Sequence, residues 1–343
     1  MTVLVTGASG HVGANLVREL LQREERVRVL IREHKRALEG LEVEHVLGDV
    51  CEPDTLKPAM EGIDRVYHLA AVISIDGDRD GRVPAVNVRG ARNVAETALA
   101  AGVKRMVHCS SIHAFDQEPV DESLDETRQR ATERPGHPAY DVSKARGEEQ
   151  IREVIAEGLD AVICNPTAII GPNDFERSRV GRVFTDLVNR RLPSLIDGGF
   201  DWVDVRDVAA GLIAAGEKGR TGESYLLSGR WASVRELAGI VESVTGISPP
   251  RVTSPMWLAR IGAPFVVAYG RMVGREPLYT MEALRALRAN RHIDNSKARS
   301  ELGYAPRPLE QTVRDAIAWL AMDGAVPSDA VRDAGPDDRR AAS

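Results

Sequence analysis

From Val3 to Asn165 the chain alternates two patterns, and the alternation limits the folds open to it. Short runs rich in β-branched residues fall at Val3–Thr6, Val27–Ile31, Val43–Leu47, Arg65–Leu69, Arg105–Cys109 and Ala161–Asn165. Amphipathic stretches lie between them at Val12–Gln22, Thr55–Glu61, Asn87–Ala101 and Tyr140–Glu157. Each reads as a helix that carries the chain back to the start of a parallel neighbour. Repeated this often, the rhythm predicts an α/β fold: a doubly wound parallel sheet of the Rossmann kind. After Pro166 the rhythm breaks. Arg179–Arg191, Asp204–Lys218, Ser233–Thr245, Met281–Leu287 and Leu309–Leu320 read as helices, Ser224–Leu227 as a strand, and Met256–Arg271 is strongly apolar. The expected organisation is a first domain over 1–165, a smaller mixed α/β C-terminal lobe over 166–325, and a disordered tail over 326–343, which has no apolar period.

The first run leads into Thr6-Gly7-Ala8-Ser9-Gly10-His11-Val12-Gly13, a glycine-rich turn between a buried strand and the first helix. A turn so placed sets backbone N–H groups and a helix N-terminus against a pyrophosphate. Glycine is needed where a Cβ would strike the phosphates or the strand behind the helix. The spacing is Gly-x-x-Gly-x-x-Gly rather than the Gly-x-Gly-x-x-Gly of the common dinucleotide fingerprint. Gly7, Gly10, His11, Val12 and Gly13 are the candidate cofactor contacts here. At the end of the second run, a carboxylate would hold the ribose 2′-hydroxyl of NAD. This chain carries Arg32 there, with Lys35 and Arg36 beyond. Such cations suit a 2′-phosphate and favour NADP over NAD, although Glu33 could pair with them or reach the ribose, and a solvated charged loop has the same composition. In Gly48-Asp49-Val50, Asp49 can accept from an adenine amino group or cap a helix, and Val50 is counted with it as a candidate contact. His68-Leu69-Ala70-Ala71 closes the fourth run with small residues that let a cofactor lie against the backbone.

Tyr140-Asp141-Val142-Ser143-Lys144 sets a tyrosine and a lysine four apart, on one helix face. A tyrosine hydroxyl with a pKa of ~10 is a poor acid–base group at neutral pH. The neighbouring ammonium is expected to favour the phenolate and bring that pKa down. The pair would then move a proton while a nicotinamide moves a hydride. Ser110-Ser111 ends the fifth run at the carboxyl edge of the sheet, where a hydroxyl can fix a substrate carbonyl.

Together these motifs resemble the extended branch of the short-chain dehydrogenase/reductase superfamily, the NAD-dependent epimerase/dehydratase family. The resemblance covers about residues 1–322 and rests on Thr6–Gly13, Gly48-Asp49, His68–Ala71, Asn87-Val88-Arg89-Gly90, Ser110-Ser111, Tyr140 and Lys144. It implies that Ser111 is the catalytic serine, that Tyr140 is the acid/base, and that Lys144 also binds the nicotinamide ribose. It implies further cofactor contacts at Leu69, Ala70, Ala71 and Asn87, and at the turn Cys164-Asn165-Pro166. The first domain would bind NAD(P) and the second the substrate. Pro166–Pro172, Trp202–Ala209 and Leu302-Gly303-Tyr304 are similar to dihydroflavonol reductase-like and 3β-hydroxysteroid dehydrogenase-like members. Where the family often continues its serine motif with Val-Tyr-Gly, this chain has Ile112-His113-Ala114-Phe115-Asp116. His113 either faces the substrate or packs within its loop.

The activity implied is NAD(P)-dependent interconversion of a carbonyl and a secondary alcohol on a small organic substrate. The alternative, a sugar-nucleotide epimerase or dehydratase, needs cations for a diphosphate in the second lobe. Arg177, Arg179, Arg182, Arg190 and Arg191 are candidates, though helix arginines also serve as a solvated face. A non-catalytic NAD(P)-sensing protein is a further alternative, and the presence of Ser111, Tyr140 and Lys144 together argues against it. The apolar stretch Met256–Val267 reads as a lid over a hydrophobic ketone, as core or subunit packing, or as a membrane-surface helix. Across 343 residues, 45 Lys and Arg against 51 Asp and Glu give a formal charge of −6, which argues against a protein that coats nucleic acid. Cys51, Cys109 and Cys164 lack the spacing of a disulfide framework or zinc site, so no metal is expected. No basic, apolar leader opens the sequence and no run of about 18 apolar residues would span a membrane, so the expected location is the cytoplasm. A homodimer is implied by the resemblance alone.

Overall fold

The computed structural model describes residues 1–33, 36–73, 80–134, 138–263, 280–288 and 290–331. Lys35, the apolar stretch beyond residue 263 and the tail from 332 lie outside the described residues. The strands are β1 (Thr2–Thr6), β2 (Arg26–Ile31), β3 (Glu44–Leu47), β4 (Arg65–His68), β5 (Arg105–Cys109) and β6 (Ala161–Pro166), close to the runs read from the sequence. There follow β7 (Ala168–Ile170), β8 (Leu195–Ile196), β9 (Gly199–Asp204), β10 (Ser224–Leu227), β11 (Arg230–Ser233) and β12 (Thr253–Ser254). The first six and β10 form one seven-stranded sheet, ordered 10-6-5-4-1-2-3 and parallel throughout. The order reverses between β1 and β4, and the crevice outside their carboxyl ends is where such sheets bind ligands.

The helices are α1 (His11–Gln22), α2 (Pro53–Met60), α3 (Ala91–Ala100), α4 (Ala139–Ala156), α5 (Arg179–Val188), α6 (Val205–Lys218), α7 (Val234–Thr245), α8 (Met281–Ala286) and α9 (Leu309–Met322). On one face of the sheet, Leu16, Val17 and Leu20 of α1 and Val208 and Leu212 of α6 pack against Val3, Val5 and Val29. On the other, Leu56 and Met60 of α2, Val94 and Ala98 of α3, and Ile151 and Val154 of α4 cover Leu4, Val66, Met106 and Ile163. Both faces of the central strands are therefore buried, which is why those runs read as continuously apolar, whereas the edge strand β3 stays largely exposed. Each such side chain contributes about 1.5–3 kcal/mol on burial.

The single helix expected over Asn87–Ala101 is divided. Ala85–Gly90 winds with the wider π spacing before α3 begins, and Asn87 is buried there. Helix α4 has a weak apolar period for the opposite reason. Its buried face carries Ser143, Lys144, Gly147 and Glu148 ahead of Ile151 and Val154. Gly147 is a close-approach position, because a Cβ there would lie 2.4 Å from the Asn87 carbonyl oxygen.

The second lobe holds a three-stranded sheet, ordered β11-β9-β7, and the pair β12-β8. Phe184, Leu187, Trp202, Leu237, Val241, Val313 and Ile317 form its core. The division expected at 165/166 is not kept by the chain, which returns to the first body with α6 and β10. An open β6 edge would leave backbone groups unpaired, and β10 pairs them. The expectation of a structureless tail from 326 is corrected for its first residues, since Val326 and Ala330 are buried in the second core. Two isolated apolar contacts after a helix leave no period to read. In the apolar stretch, Met256 and Ala263 pack against Ile196 and Leu284, whereas Trp257, Leu258 and Ile261 are exposed. Among the described residues no helix is long and apolar enough to cross a membrane.

Candidate active site

The turn after β1 uses its glycines for two separate reasons. Gly7 has φ 69°, and a Cβ there would lie 2.7 Å from the Ala70 nitrogen, in the segment after β4. A Cβ on Gly13 would lie 2.2 Å from the Gly7 carbonyl oxygen. These two let the turn, α1 and the end of β4 pack together. Gly10 differs: the nearest atom to its Cβ position is the Gly7 oxygen at 3.4 Å, an ordinary contact. It precedes α1 as its N-cap, no side chain caps the helix, and the first turn holds no acidic residue. The N-terminal N–H groups of α1 are thus available to an anion, and the cradle fits a dinucleotide pyrophosphate. Of the other turn residues, the His11 ring turns to the second lobe, with Nε2 3.1 Å from the Pro172 carbonyl oxygen. Val12 packs on the first core. Both therefore offer the cradle backbone rather than side chain. The Thr6 hydroxyl pins the crevice, accepting from the Leu69 and Ala70 amides at 3.2 and 3.3 Å and lying 2.7 Å from His68 Nδ1. Leu69 and Ala70 are half-buried along it, and Ala71 is exposed.

At the far end, Arg32 is exposed just beyond β2. Burial and the Asp49 charge push the Cys51 thiol up, while Arg89 and Arg32 oppose them, so both cations lie within electrostatic reach of this strand end. Arg89 lies in the quoted Asn-Val-Arg-Gly motif, but nothing in the local pattern indicated its direction. Asp49 Oδ1 accepts from the Cys51 amide at 2.9 Å, a turn-closing bond. Val50 is buried, and its carbonyl accepts from Asn93 Nδ2 at 3.0 Å, so its side chain belongs to the core. Arg36, read as a phosphate ligand, is engaged by Asp323 at 2.6 Å.

The candidate catalytic residues converge at the end of β5. Ser111 Oγ accepts from the His113 amide at 3.2 Å, and its hydroxyl is near enough to Tyr140 to favour the phenolate. Lys144, 4% exposed, donates from Nζ to the Cys109 carbonyl oxygen at 3.1 Å. Burial pushes the Tyr140 hydroxyl well up, the neighbouring Ser111 hydroxyl opposes this, and Asp141 and Cys109 add to the rise. The expected lowering by Lys144 is therefore corrected. Its ammonium is bonded to the strand carbonyl, and desolvation of the phenolate dominates, so Tyr140 holds its proton at neutral pH. Burial also lowers Lys144, with Cys109 and Glu148 opposing. His68 and His108 stack with centroids 5.2 Å apart. Burial and then Lys144 push His68 down to about 3 and His108 well below its usual range. Both stay neutral and leave the Lys144 charge unopposed.

The remaining implied contacts divide. Asn87 accepts from the Val72 amide at 2.8 Å and donates to the Val72 carbonyl and Ser143 Oγ, both at 2.9 Å, so it locks the crevice wall to α4. Cys164 and Pro166 fall on buried strand positions. The Cys164 carbonyl accepts from the Ser110 amide at 2.8 Å and burial pushes its thiol well up, so its polar groups serve the core. Between them, Asn165 has a role the sequence did not announce. Its Nδ2 donates to the Ser111 carbonyl at 2.9 Å and to Glu148 Oε1 at 2.6 Å. Glu148, 1% exposed, pairs with Arg130 at 2.7 Å. His113 lies edge-on to Tyr140, centroids 6.0 Å apart, with Nδ1 3.3 Å from Asp141 Oδ1. It faces the tyrosine rather than only its own loop. Of the arginines considered for a diphosphate, Arg177 and Arg191 pair with Asp323 and Asp186 at 3.4 and 4.0 Å. Among the described residues no group of three or more His, Cys, Asp or Glu is arranged to hold a metal.

The family described as NAD dependent epimerase/dehydratase matches residues 3–228. The chain is 38% identical over 335 residues to sterol demethylase protein B of Methylococcus capsulatus, covering 95% of this chain and 100% of that one. It is 30% identical over 342 residues to the 3-beta-hydroxysteroid dehydrogenase of Mycolicibacterium neoaurum, covering 92% and 90%. Among solved structures, that of gox2253 is similar with a TM-score of 0.82 and 33% identity, over 95% of this chain and 99% of that one.

Proposed function

The chain belongs to the NAD-dependent epimerase/dehydratase family of NAD(P)-dependent enzymes, and on that footing we propose that it reduces a ketone to a secondary alcohol with NADPH preferred over NADH. The observation that carries this reading is the convergence of Ser111, Tyr140 and a buried Lys144 at the end of β5, with an uncapped glycine turn after β1. When bound, the nicotinamide supplies the hydride. The backbone of Gly7–Gly13 would hold the pyrophosphate, Arg32 the 2′ position and Lys144 the nicotinamide ribose. The His113 amide orients Ser111, whose hydroxyl donates to the substrate oxygen and stabilises charge growing there. Tyr140 gives that oxygen its proton. A tyrosine that holds its proton at neutral pH suits the reductive direction. The names of both relatives refer to a sterol or steroid, which points to an apolar steroid-like substrate. The reading includes a homodimer in the cytoplasm, with the oligomer checked by sedimentation.

The test begins with the purified protein. It is denatured, any nucleotide released is identified, and fresh protein is titrated with NADPH and NADH by fluorescence. Reversible binding with NADPH tighter supports the reading and warrants a panel of ketosteroids. Stoichiometric, tightly held NAD would overturn the NADP preference and favour a sugar-nucleotide epimerase cycle. Tyr140→Phe should abolish turnover and leave NADPH affinity within about twofold; full turnover in that variant would remove Tyr140 as the acid.

A further inference from the structure

The Arg36–Leu38 turn, which comes after Arg32 in the chain, is gripped by the other lobe. Arg36 opens the short 3-10 turn Arg36–Leu38, and its Nη2 lies 2.6 Å from Oδ1 of Asp323, which directly follows α9. The Asp323 side chain is 3% exposed, and its second oxygen lies 3.4 Å from Arg177 Nη2. The Phe175 ring receives two guanidinium groups, with Arg18 Cζ 5.2 Å and Arg36 Cζ 5.6 Å from its centroid. The same ring packs edge-on against Trp319 of α9, centroids 5.3 Å apart. Arg18 Nη1 donates to the Ala14 and Ala37 carbonyls at 2.8 and 3.0 Å, which ties the turn back to α1. A turn only four residues past Arg32 is therefore held by α1, by the 171–177 segment and by the end of α9.

A lone surface ion pair holds little, but this carboxylate is buried, has two partners, and is reinforced by cation–π packing. A guanidinium that reads a 2′-phosphate works only within hydrogen-bond reach, so a displacement of about 1 Å costs most of the contact. A 2′-hydroxyl depends far less on that cation. We infer that Asp323 is a positioning residue for cofactor selection: through Arg36 it holds the Arg36–Leu38 turn and so, four residues along the chain, the place of Arg32 opposite the ribose 2′ position. Arg36 is then a clasp and not a phosphate ligand. The inference rests on the cofactor reading above.

The experiment uses the full chain and fluorescence titration with NADPH and with NADH at one ionic strength. Wild type is compared with Asp323→Asn, Arg36→Gln and the double variant, with melting temperature recorded for each. Arg36 is 61% exposed at its side chain, so Arg36→Gln keeps the test available if Asp323→Asn fails to fold. Each single variant should weaken NADPH binding by about threefold to tenfold and NADH binding by less than about twofold. The double variant should lose no more than the singles, because both break one link. Equal weakening of both dinucleotides, additive losses, or tighter NADPH binding in Asp323→Asn would each overturn the inference. Unchanged variants on a wild type that prefers NADPH overturn it alone. A wild type that binds neither dinucleotide overturns the cofactor reading and this inference with it.

Discussion

Replacing Gly10 and Gly13 by alanine, one at a time, separates the two uses of glycine in the turn after β1. At Gly13 the new Cβ would sit 2.2 Å from the Gly7 oxygen and 2.7 Å from Ala8 Cα, both backbone atoms. An ordinary contact to that oxygen is more than 1 Å longer. Relief requires α1 to lift off β1, which opens the packing of Leu16, Val17 and Leu20. Overpacking of this kind costs about 3 kcal/mol or more, a large part of the ~5–15 kcal/mol that holds a typical domain. At Gly10 the Cβ would meet only the Gly7 oxygen at 3.4 Å, and the backbone there, φ −73° and ψ 170°, suits alanine. Reduced freedom of the unfolded chain favours Gly10→Ala by about 0.4–1 kcal/mol, and the poorer N-cap opposes by a similar amount. Its stability should stay within about 1 kcal/mol of wild type. Its methyl nevertheless stands where the phosphates would pass, so NADPH affinity should fall by at least about tenfold. Urea unfolding followed by circular dichroism gives the first quantity and fluorescence titration the second. Gly10→Ala with wild-type NADPH affinity would refute the cradle, and Gly10→Ala as unstable as Gly13→Ala would refute the steric argument.

Three further predictions concern buried polar groups. Burial lifts the Asp201 carboxyl to about 6, against hydrogen bonds from Thr167 and Gly229. Its unfolded value is about 3.9, so the folded chain binds the proton more tightly. Stability should fall by about 3 kcal/mol as pH rises from about 4 to 6. Asp201→Asn keeps an acceptor for both donors and should flatten that slope in urea unfolding; an equal slope in both proteins counts against the assignment. Asn165→Leu removes the donor shared by the Ser111 carbonyl and buried Glu148. It should cost about 1–3 kcal/mol and lower turnover through Ser111, and a variant as stable and active as wild type would contradict the link. Burial opposes the charged form of His113, but the Asp141 carboxylate, 3.3 Å from Nδ1, outweighs it and raises its pKa. The pair therefore stabilises below about pH 6.5 and loses its contribution as pH rises through the raised value. Asp141→Asn should lower the His113 pKa in an NMR titration of the ring; an unmoved titration would show the two groups uncoupled.

Much of the first body was legible because its signals are local. The strand–helix period, the glycine spacing and the Tyr140–Lys144 offset each depend on residues within a few turns of one another, and backbone geometry converts such spacing into a shared face or a turn. The sheet reproduces those positions within about two residues at its ends, the usual uncertainty of element boundaries. Less was legible where a polar group chooses among distant partners. The composition of the β2 end showed cations, yet only the fold showed that Arg36 meets Asp323. The Tyr140 pKa depends on burial from every side, which outweighs the lysine one turn away. Asn165 lies in an apolar run and is read there as a strand residue; its role exists only because β6 lies beside β5 and beneath α4.

The amino-acid sequence by itself determined the doubly wound parallel fold and picked out the glycine turn, Ser111, Tyr140 and Lys144 as candidates, because each rests on periodicity or on a short motif. Only the tertiary structure decided which charges remain available to a ligand, which polar side chains are occupied by the protein itself, and where the second body begins. Those outcomes are set by desolvation and by contacts between segments far apart in the chain, and neither is encoded in the spacing of neighbours.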